Sequence, residues 1–208
     1  MDKRLKIAVL LSGTGRTLDN FVEKIKSGLL KADIVCVASS STSALGLTKA
    51  EKYGIPAKGF DIKNHEELSR AINGFILKYN PDLIVLAGYL KKYHVPEKYR
   101  FKVINIHPAL IPSFSGKGFY GMKVHKAVWE SGVKVSGCTV HFVNENYDEG
   151  LIIAQKCVKI LPHYTPEDIA SEVFKAECVL YPEVINYFAE NRIEIKNNKV
   201  YIKGVENG

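Results

Sequence analysis

The sequence contains no apolar run approaching the ~20 residues that a membrane-spanning helix requires. Its opening, MDKRLKIAVLLSGTG, has an apolar stretch of only seven residues that ends in glycines, without a small-residue cleavage site. It reads as a first strand rather than a signal peptide. Cysteine is scarce: Cys36, Cys138, Cys157 and Cys178 stand singly, without C-x-x-C spacing. That excludes a disulfide scaffold and favours a reducing cytoplasm. None of the six histidines pairs at H-x-x-x-H spacing and no Cys/His cluster forms, so no metal is expected. Repeats and low-complexity segments are missing too. With 46% apolar and 25% charged residues, the chain is not disordered, collagen-like or coiled-coil. Its 208 residues make one domain, or at most two small ones. Acidic residues are the scarcer sign, 22 against 29 basic, for a net charge of +7. That balance suits a nucleic-acid partner and equally a phosphorylated or polyanionic small molecule.

What is present is an alternation. LKIAVLL (5–11) is a continuous apolar run, followed by glycines and an amphipathic stretch carrying Leu18, Phe21, Val22 and Ile25. Strand patterns recur at 33–39, briefly at 57–60, at 82–88 and at 102–107, with helical patterns at 44–54 and 65–79. Strand–helix alternation predicts βαβ units around a parallel sheet. Further on, 135–143 and 151–160 are strand-like and separated by a polar loop, which predicts an antiparallel extension. A long helix is expected at about 166–190. The tail, with alternating apolar residues around Asn197-Asn198, predicts a small hairpin. The fold class is therefore α/β: a Rossmann-like, mostly parallel sheet with helices on both faces and an antiparallel extension in the C-terminal half.

Ser12-Gly13-Thr14-Gly15-Arg16-Thr17 lies between the first strand and first helix. Glycines there let backbone N–H groups approach an anion at the helix N-terminus. A dinucleotide site would want a glycine where Leu18 stands and an acidic residue where Ser39 to Ser43 follow the second strand. A Walker loop would want Gly-Lys-Ser/Thr. Neither pattern is met, so no nucleotide cofactor is expected. Two readings remain: a site for a single phosphate, gripped also by Arg16, and a plain tight turn with Thr17 as N-cap.

In Asn105-Ile106-His107-Pro108, residues 105 and 107 share a face of an extended strand, and Pro108 ends it. An amide donor beside an imidazole at the carboxyl end of a parallel strand suits oxyanion stabilisation with proton transfer. A simple hydrogen-bonded histidine at a strand end is the alternative. Asp148, in the loop 144–150, becomes chemically useful where the fold brings it to His107; otherwise it is a solvated carboxylate. His141 fits a half-buried, satisfied role. The segment 88–96, with Tyr89, Leu90, Lys91, Lys92 and Tyr93, suits nucleic acid, an apolar pocket with cations at its mouth, or a solvated surface helix. The glycine-rich loop 114–121 suits a mobile lid.

In order and spacing, LAGYLKKY (86–93), NIHPALIPSF (105–114), GCTVHFVNENYDEGLIIAQ (137–155) and ECVLYP (177–182) resemble the folate-dependent formyltransferases, and among them the glycinamide ribonucleotide transformylases. The resemblance spans about residues 5–190. It implies one formyltransferase domain over 1–208: a phosphate-binding half to about 100, a half with catalytic and folate residues over about 101–190, and a terminal hairpin over 191–208. It further implies formyl transfer from 10-formyltetrahydrofolate, as co-substrate, to the amine of glycinamide ribonucleotide in purine biosynthesis.

By the same resemblance Asn105, His107 and Asp148 are the catalytic trio, with a protonated His107 and His141 supporting. Gly13, Thr14, Gly15, Arg16, Thr17 and Glu177 bind the ribonucleotide. His65, Leu90, Lys91, Lys92, Tyr93, Asn105, Asn144, Glu145, Asn146, Tyr147 and Asp148 surround the folate. The chain departs from the family pattern at Arg16-Thr17, where Ser-Asn is usual, at Lys92-Tyr93, at Cys178 and at His65. The expected partners are small molecules, without nucleic acid or membrane, on a monomer or homodimer. Relatives that formylate charged tRNA carry an extra C-terminal domain, whereas only about 18 residues follow the long helix here. Deformylases carry a domain ahead of the catalytic one. A non-catalytic phosphate- or RNA-binding module is the reading of a different class.

Overall fold

The computed structural model describes residues 4–204. In chain order the elements are β1 (Leu5–Leu11), α1 (Arg16–Lys26), β2 (Ala32–Ser39), α2 (Leu45–Lys52), β3 (Ala57–Gly59), α3 (His65–Ile76), β4 (Leu83–Leu86), β5 (Val103–His107), α4 (Met122–Ser131), β6 (Val135–Phe142), β7 (Ile152–Lys159), α5 (Pro166–Ala189), β8 (Ile193–Lys196) and β9 (Lys199–Ile202). From Ile7 to Leu11, β1 is an unbroken apolar run because both faces of its sheet are covered. Ile7, Val9 and Leu11 join a core under α1, α4 and α5. Ala8 and Leu10 alternate into a second core under α3, with Leu68, Ile72 and Ile76.

Seven strands form one sheet in the order β3-β2-β1-β4-β5-β6-β7. The first five are parallel, while β6 runs antiparallel to both β5 and β7, which is the predicted extension. The chain leaves β1 toward β3 and returns on the other side at β4, so strand order reverses between β1 and β4. A crevice opens at such a reversal, outside the carboxyl ends of the strands. β8 and β9 pair separately across Asn197 and Asn198, both with positive φ, as a two-residue hairpin of the primed kind requires. Of the predicted 191–208 segment, residues 205–208 lie outside the described residues.

Three local readings are corrected. The helix at 65–79 ends at Ile76 and tightens into a 3-10 turn over Leu77–Tyr79. α4 has no counterpart in the sequence reading, although Val124 and Val128 stand four apart and Gly132 closes it in a left-handed conformation. The segment 88–96 is not a surface helix; it runs irregularly with Tyr89 and Tyr93 buried edge-to-face, ring centroids 6.2 Å apart.

α5 is started by a capping box: the Thr165 hydroxyl accepts from the Asp168 N–H and the Asp168 carboxylate accepts from the Thr165 N–H. Its Tyr181 is fully buried and directs its hydroxyl at the carbonyls of Leu86 in β4 and Ile104 in β5. The helix is thereby pinned across β4 and β5, two of the strands whose ends line the crevice.

Candidate active site

The crevice is a cavity of about 760 Å³, lined by residues 13–17 after β1, 86–93 after β4, 105–108 at the end of β5, 116–123 before α4, parts of the 143–148 loop, and one face of α5.

At one end lies the β1–α1 loop. Helix α1 begins at Arg16, and its cap position is Gly15, in a left-handed conformation with φ 72°. Thr17 is thus inside the helix and not its cap, which corrects the tight-turn reading. A Cβ on Gly15 would sit 2.8 Å from the Gly46 Cα, while Gly46 N–H donates to the Gly13 carbonyl. Backbone packed on backbone holds the loop, and no side chain caps the helix. Its first N–H groups are left for a ligand, and an anion suits them. Arg16 lies with its guanidinium carbon 3.7 Å from the centroid of the Phe174 ring. Glu177, one turn further along α5, is half-buried; burial pushes its carboxyl up to about 7, with the Arg16 charge opposing.

Glu177 gives a stability prediction. A raised folded-state pKa means that its contribution is fully present below the ordinary value of 4.5 and lost as pH rises to about 7. Glu177→Gln should therefore match the parent near pH 4 and exceed it at pH 8 by roughly 1–2 kcal/mol, a figure discounted for partial exposure. Urea unfolding at the two pH values tests this; equal midpoints at pH 8 would discard it.

At the other end, β5 pairs with β6 so that Asn105 faces His141 and His107 faces Thr139. The His141 Nδ1–H donates to the Phe142 carbonyl at 2.8 Å, leaving Nε2 to accept from the Asn105 amide at 3.1 Å. One N–H of Asn105 is so used, and the second has no protein partner among the described residues. His107 is 3% exposed. Its Nε2–H donates to the Phe114 carbonyl at 2.8 Å, which leaves Nδ1 facing Asp148 Oδ2 at 3.4 Å. The other oxygen of Asp148 lies 3.6 Å from His141 Nε2. Asp148 also accepts from the Gly116 N–H at 3.0 Å. Sequence-distant residues 105, 107, 141 and 148 thus meet at one point.

Two backbone features set this arrangement. Asp148 and Phe114 both adopt positive φ, 57° and 52°, which costs non-glycine residues energy and turns both loops inward onto His107. Gly150 passes so close to β6 that a Cβ there would lie 1.6 Å from the Phe142 carbonyl. Burial pulls the His107 pKa down, against Asp148 and the Phe114 carbonyl. Burial alone would raise Asp148, but the nearby His141 and His107 and the Gly116 N–H together hold its carboxyl below the ordinary range. The unliganded site therefore pairs a carboxylate with an imidazole whose second proton burial opposes.

The remaining residues divide. Leu90, Lys91, Lys92, Asn144, Asn146 and Tyr147 line the cavity. Tyr93 borders it, but its ring is buried and its hydroxyl bonds Asn73. Glu145 stands outside the lining, at the rim, where its carboxylate lies 3.7 Å from His94 and 4.0 Å from Lys92. His65 is the first residue of α3 and does not reach the cavity. Two further lining residues bear on the chemistry and carry little local signal in the sequence. Phe174 is one apolar position among many on α5. His125 belongs to helix α4; it is 6% exposed, its Nδ1 has no hydrogen-bond partner among the described residues, and burial, with His107 adding, takes its pKa down to about 4.

A family model described as formyl transferase matches residues 5–185. The chain is 40% identical over 205 residues to the chloroplastic phosphoribosylglycinamide formyltransferase of Arabidopsis thaliana, covering 95% of this chain and 70% of that one. It is 38% identical over 204 residues to the phosphoribosylglycinamide formyltransferase of Haemophilus influenzae, covering 96% and 94%. Among solved structures it resembles glycinamide ribonucleotide transformylase 1 of Symbiobacterium toebii with a TM-score of 0.87, at 34% identity and 96% and 94% coverage. With an uncapped helix N-terminus at one end of its cavity and an amide–imidazole–carboxylate group at the other, the chain belongs to the formyl transferase family.

Proposed function

We propose that this protein transfers the formyl group of 10-formyltetrahydrofolate to the amine of glycinamide ribonucleotide, giving formylglycinamide ribonucleotide and tetrahydrofolate in purine biosynthesis. One observation carries the reading. A single cavity joins the phosphate-sized end at residues 13–17 to the convergence of Asn105, His107 and Asp148, with the open rim 88–92 and 144–147 beside the latter. A phosphorylated amine seated at the first end extends toward the second, and a bulky donor enters at the rim. No helix among the described residues is long and apolar enough to cross a membrane.

In the proposed mechanism the amine lone pair attacks the formyl carbon, and the carbonyl pair moves onto oxygen. The free N–H of Asn105 and the His107 Nε2–H stabilise that oxyanion, the latter after leaving the Phe114 carbonyl. Negative charge developing on the oxygen, added to that of Asp148, draws onto His107 the proton that burial withholds from it at rest. Collapse of the tetrahedral adduct breaks the bond to N10 of the folate. The attacking amine has one proton to lose and N10 one to gain, and Asp148 relays it through water. His141 holds Asn105 and Asp148 in register with each other.

The test is release of deformylated folate, followed by absorbance, with glycinamide ribonucleotide, with no acceptor, and with a charged tRNA. Turnover with the ribonucleotide alone is expected. Turnover without acceptor would make the protein a hydrolase, turnover with tRNA would replace the acceptor, and silence in all three would leave a binding module.

A further inference from the structure

We infer that Phe174 is a positioning residue for the phosphate end of the cavity: it holds the Arg16 guanidinium flat and keeps it from pairing with Glu177. The inference rests on the proposed reading for the identity of the ligand, but its geometry stands alone. Phe174 and Glu177 are three residues apart on α5 and so share a helix face. Both line the cavity, as does Arg16. A guanidinium and a half-buried carboxylate with no protein hydrogen-bond partner among the described residues would ordinarily form a bidentate pair. Here no ion pair of Arg16 with a carboxylate occurs among the described residues, although its charge is felt at Glu177. Instead its carbon lies 3.7 Å from the Phe174 ring centroid.

The difference matters because a guanidinium has two kinds of surface. Its faces attract an aromatic ring, and its edges carry five N–H donors. Stacking occupies a face and leaves every donor at the edge free for phosphate oxygens. Pairing with Glu177 would consume two donors and cancel the charge. The ring also fixes a long side chain whose ordering an anion would otherwise have to bring about. Arg16 is the first residue of α1, so it belongs to the same turn as the unfilled N–H groups of that helix.

The experiment is a double-mutant cycle between Arg16→Ala and Phe174→Leu, with Phe174→Met as the second ring-free variant should the leucine protein not fold. Phe174→Leu should raise KM for the ribonucleotide three- to fivefold, at about the strength of an exposed cation–π contact, with kcat and the folate KM unchanged. In the Arg16→Ala background the same change should shift KM by less than about twofold. Phe174→Tyr, which keeps a ring, should behave as the parent.

Inorganic phosphate, read by thermal shift, is the second probe and needs no turnover. The parent should be stabilised by millimolar phosphate, Phe174→Leu less so, and Phe174→Leu/Glu177→Gln nearly as much as the parent, since the competing carboxylate is gone. Equal effects of Phe174→Leu with and without Arg16 would assign the ring to ligand contact or packing and overturn the inference, as would a parent indifferent to phosphate. If the parent binds phosphate in this pattern yet does not formylate the ribonucleotide, the functional reading falls and the role of Phe174 stands.

Discussion

Asp148→Asn should lower turnover by ~10²–10⁴-fold, the range lost when a positioned proton-transfer group is removed, while the protein folds normally. The amide is close to isosteric and its oxygen can still accept from the Gly116 N–H, so the loop keeps its anchor. What disappears is the negative charge that opposes the burial of His107 and, in the proposed mechanism, the basic oxygen that relays the amine proton. The parent should lose activity on its acid side as Asp148, held below the ordinary carboxylate range, takes up a proton. The variant should lack that limb altogether. Asp148 also stabilises the fold above its unfolded pKa and ceases to do so as pH falls through its lower folded value, so the variant should be slightly less stable at neutral pH and no worse in acid. Steady-state kinetics carried from pH 9 down past the ordinary carboxylate range would decide. Parent-like turnover would remove Asp148 from the chemistry.

Tyr181→Ala should cost 3–5 kcal/mol, the range for deleting a large core aromatic, out of the 5–15 kcal/mol that holds a typical domain together. The residue is fully buried, packs edge-to-face on Phe21 with centroids 5.4 Å apart, and bonds carbonyls of two adjacent strands. Tyr181→Phe keeps the ring and loses only the hydroxyl, so it should cost about 1–2 kcal/mol. Urea denaturation of the pair separates the contributions of ring and hydroxyl. A loss below ~1 kcal/mol for the alanine variant would show that α5 is held elsewhere.

Elements whose local pattern and tertiary setting agree were legible from the sequence. β1 is apolar on both faces because helices cover both faces, and Asn197-Asn198 turns because those residues tolerate positive φ. Asn105 and His107 were readable as a pair, since a strand fixes which residues share a side. Their meeting with Asp148 depends on the β6–β7 hairpin folding back and Gly150 pressing on β6, and the resemblance, not the local spacing, pointed to it. Elsewhere local pattern was too thin. α4 offers only Val124 and Val128 on its buried side beside His125, so its periodicity was weak and the histidine went with it. In 88–96 the interleaved lysines and tyrosines left a nucleic-acid surface, a pocket wall and a solvated helix all open; Tyr89 and Tyr93 join the second core while Leu90, Lys91 and Lys92 line the cavity. Phe174 could not be singled out, because its partner Arg16 lies at the other end of the chain. Thr17 misled because a cap residue and the first turn of a helix look alike until the conformation of Gly15 is known.

The pairing of β5 with β6 carries one more implication. Its register sets Asn105 and His107 toward the cavity and Ile104 and Ile106 into the core. A slip of one residue would exchange the two sets at once, since side chains alternate along a strand. No partly correct arrangement exists in which this strand is misaligned and the proposed oxyanion donors still face the cavity. Enzyme recovered after refolding should therefore behave as two populations, fully competent and inert. Specific activity then counts natively aligned molecules one by one, with no intermediate grade of catalyst between them.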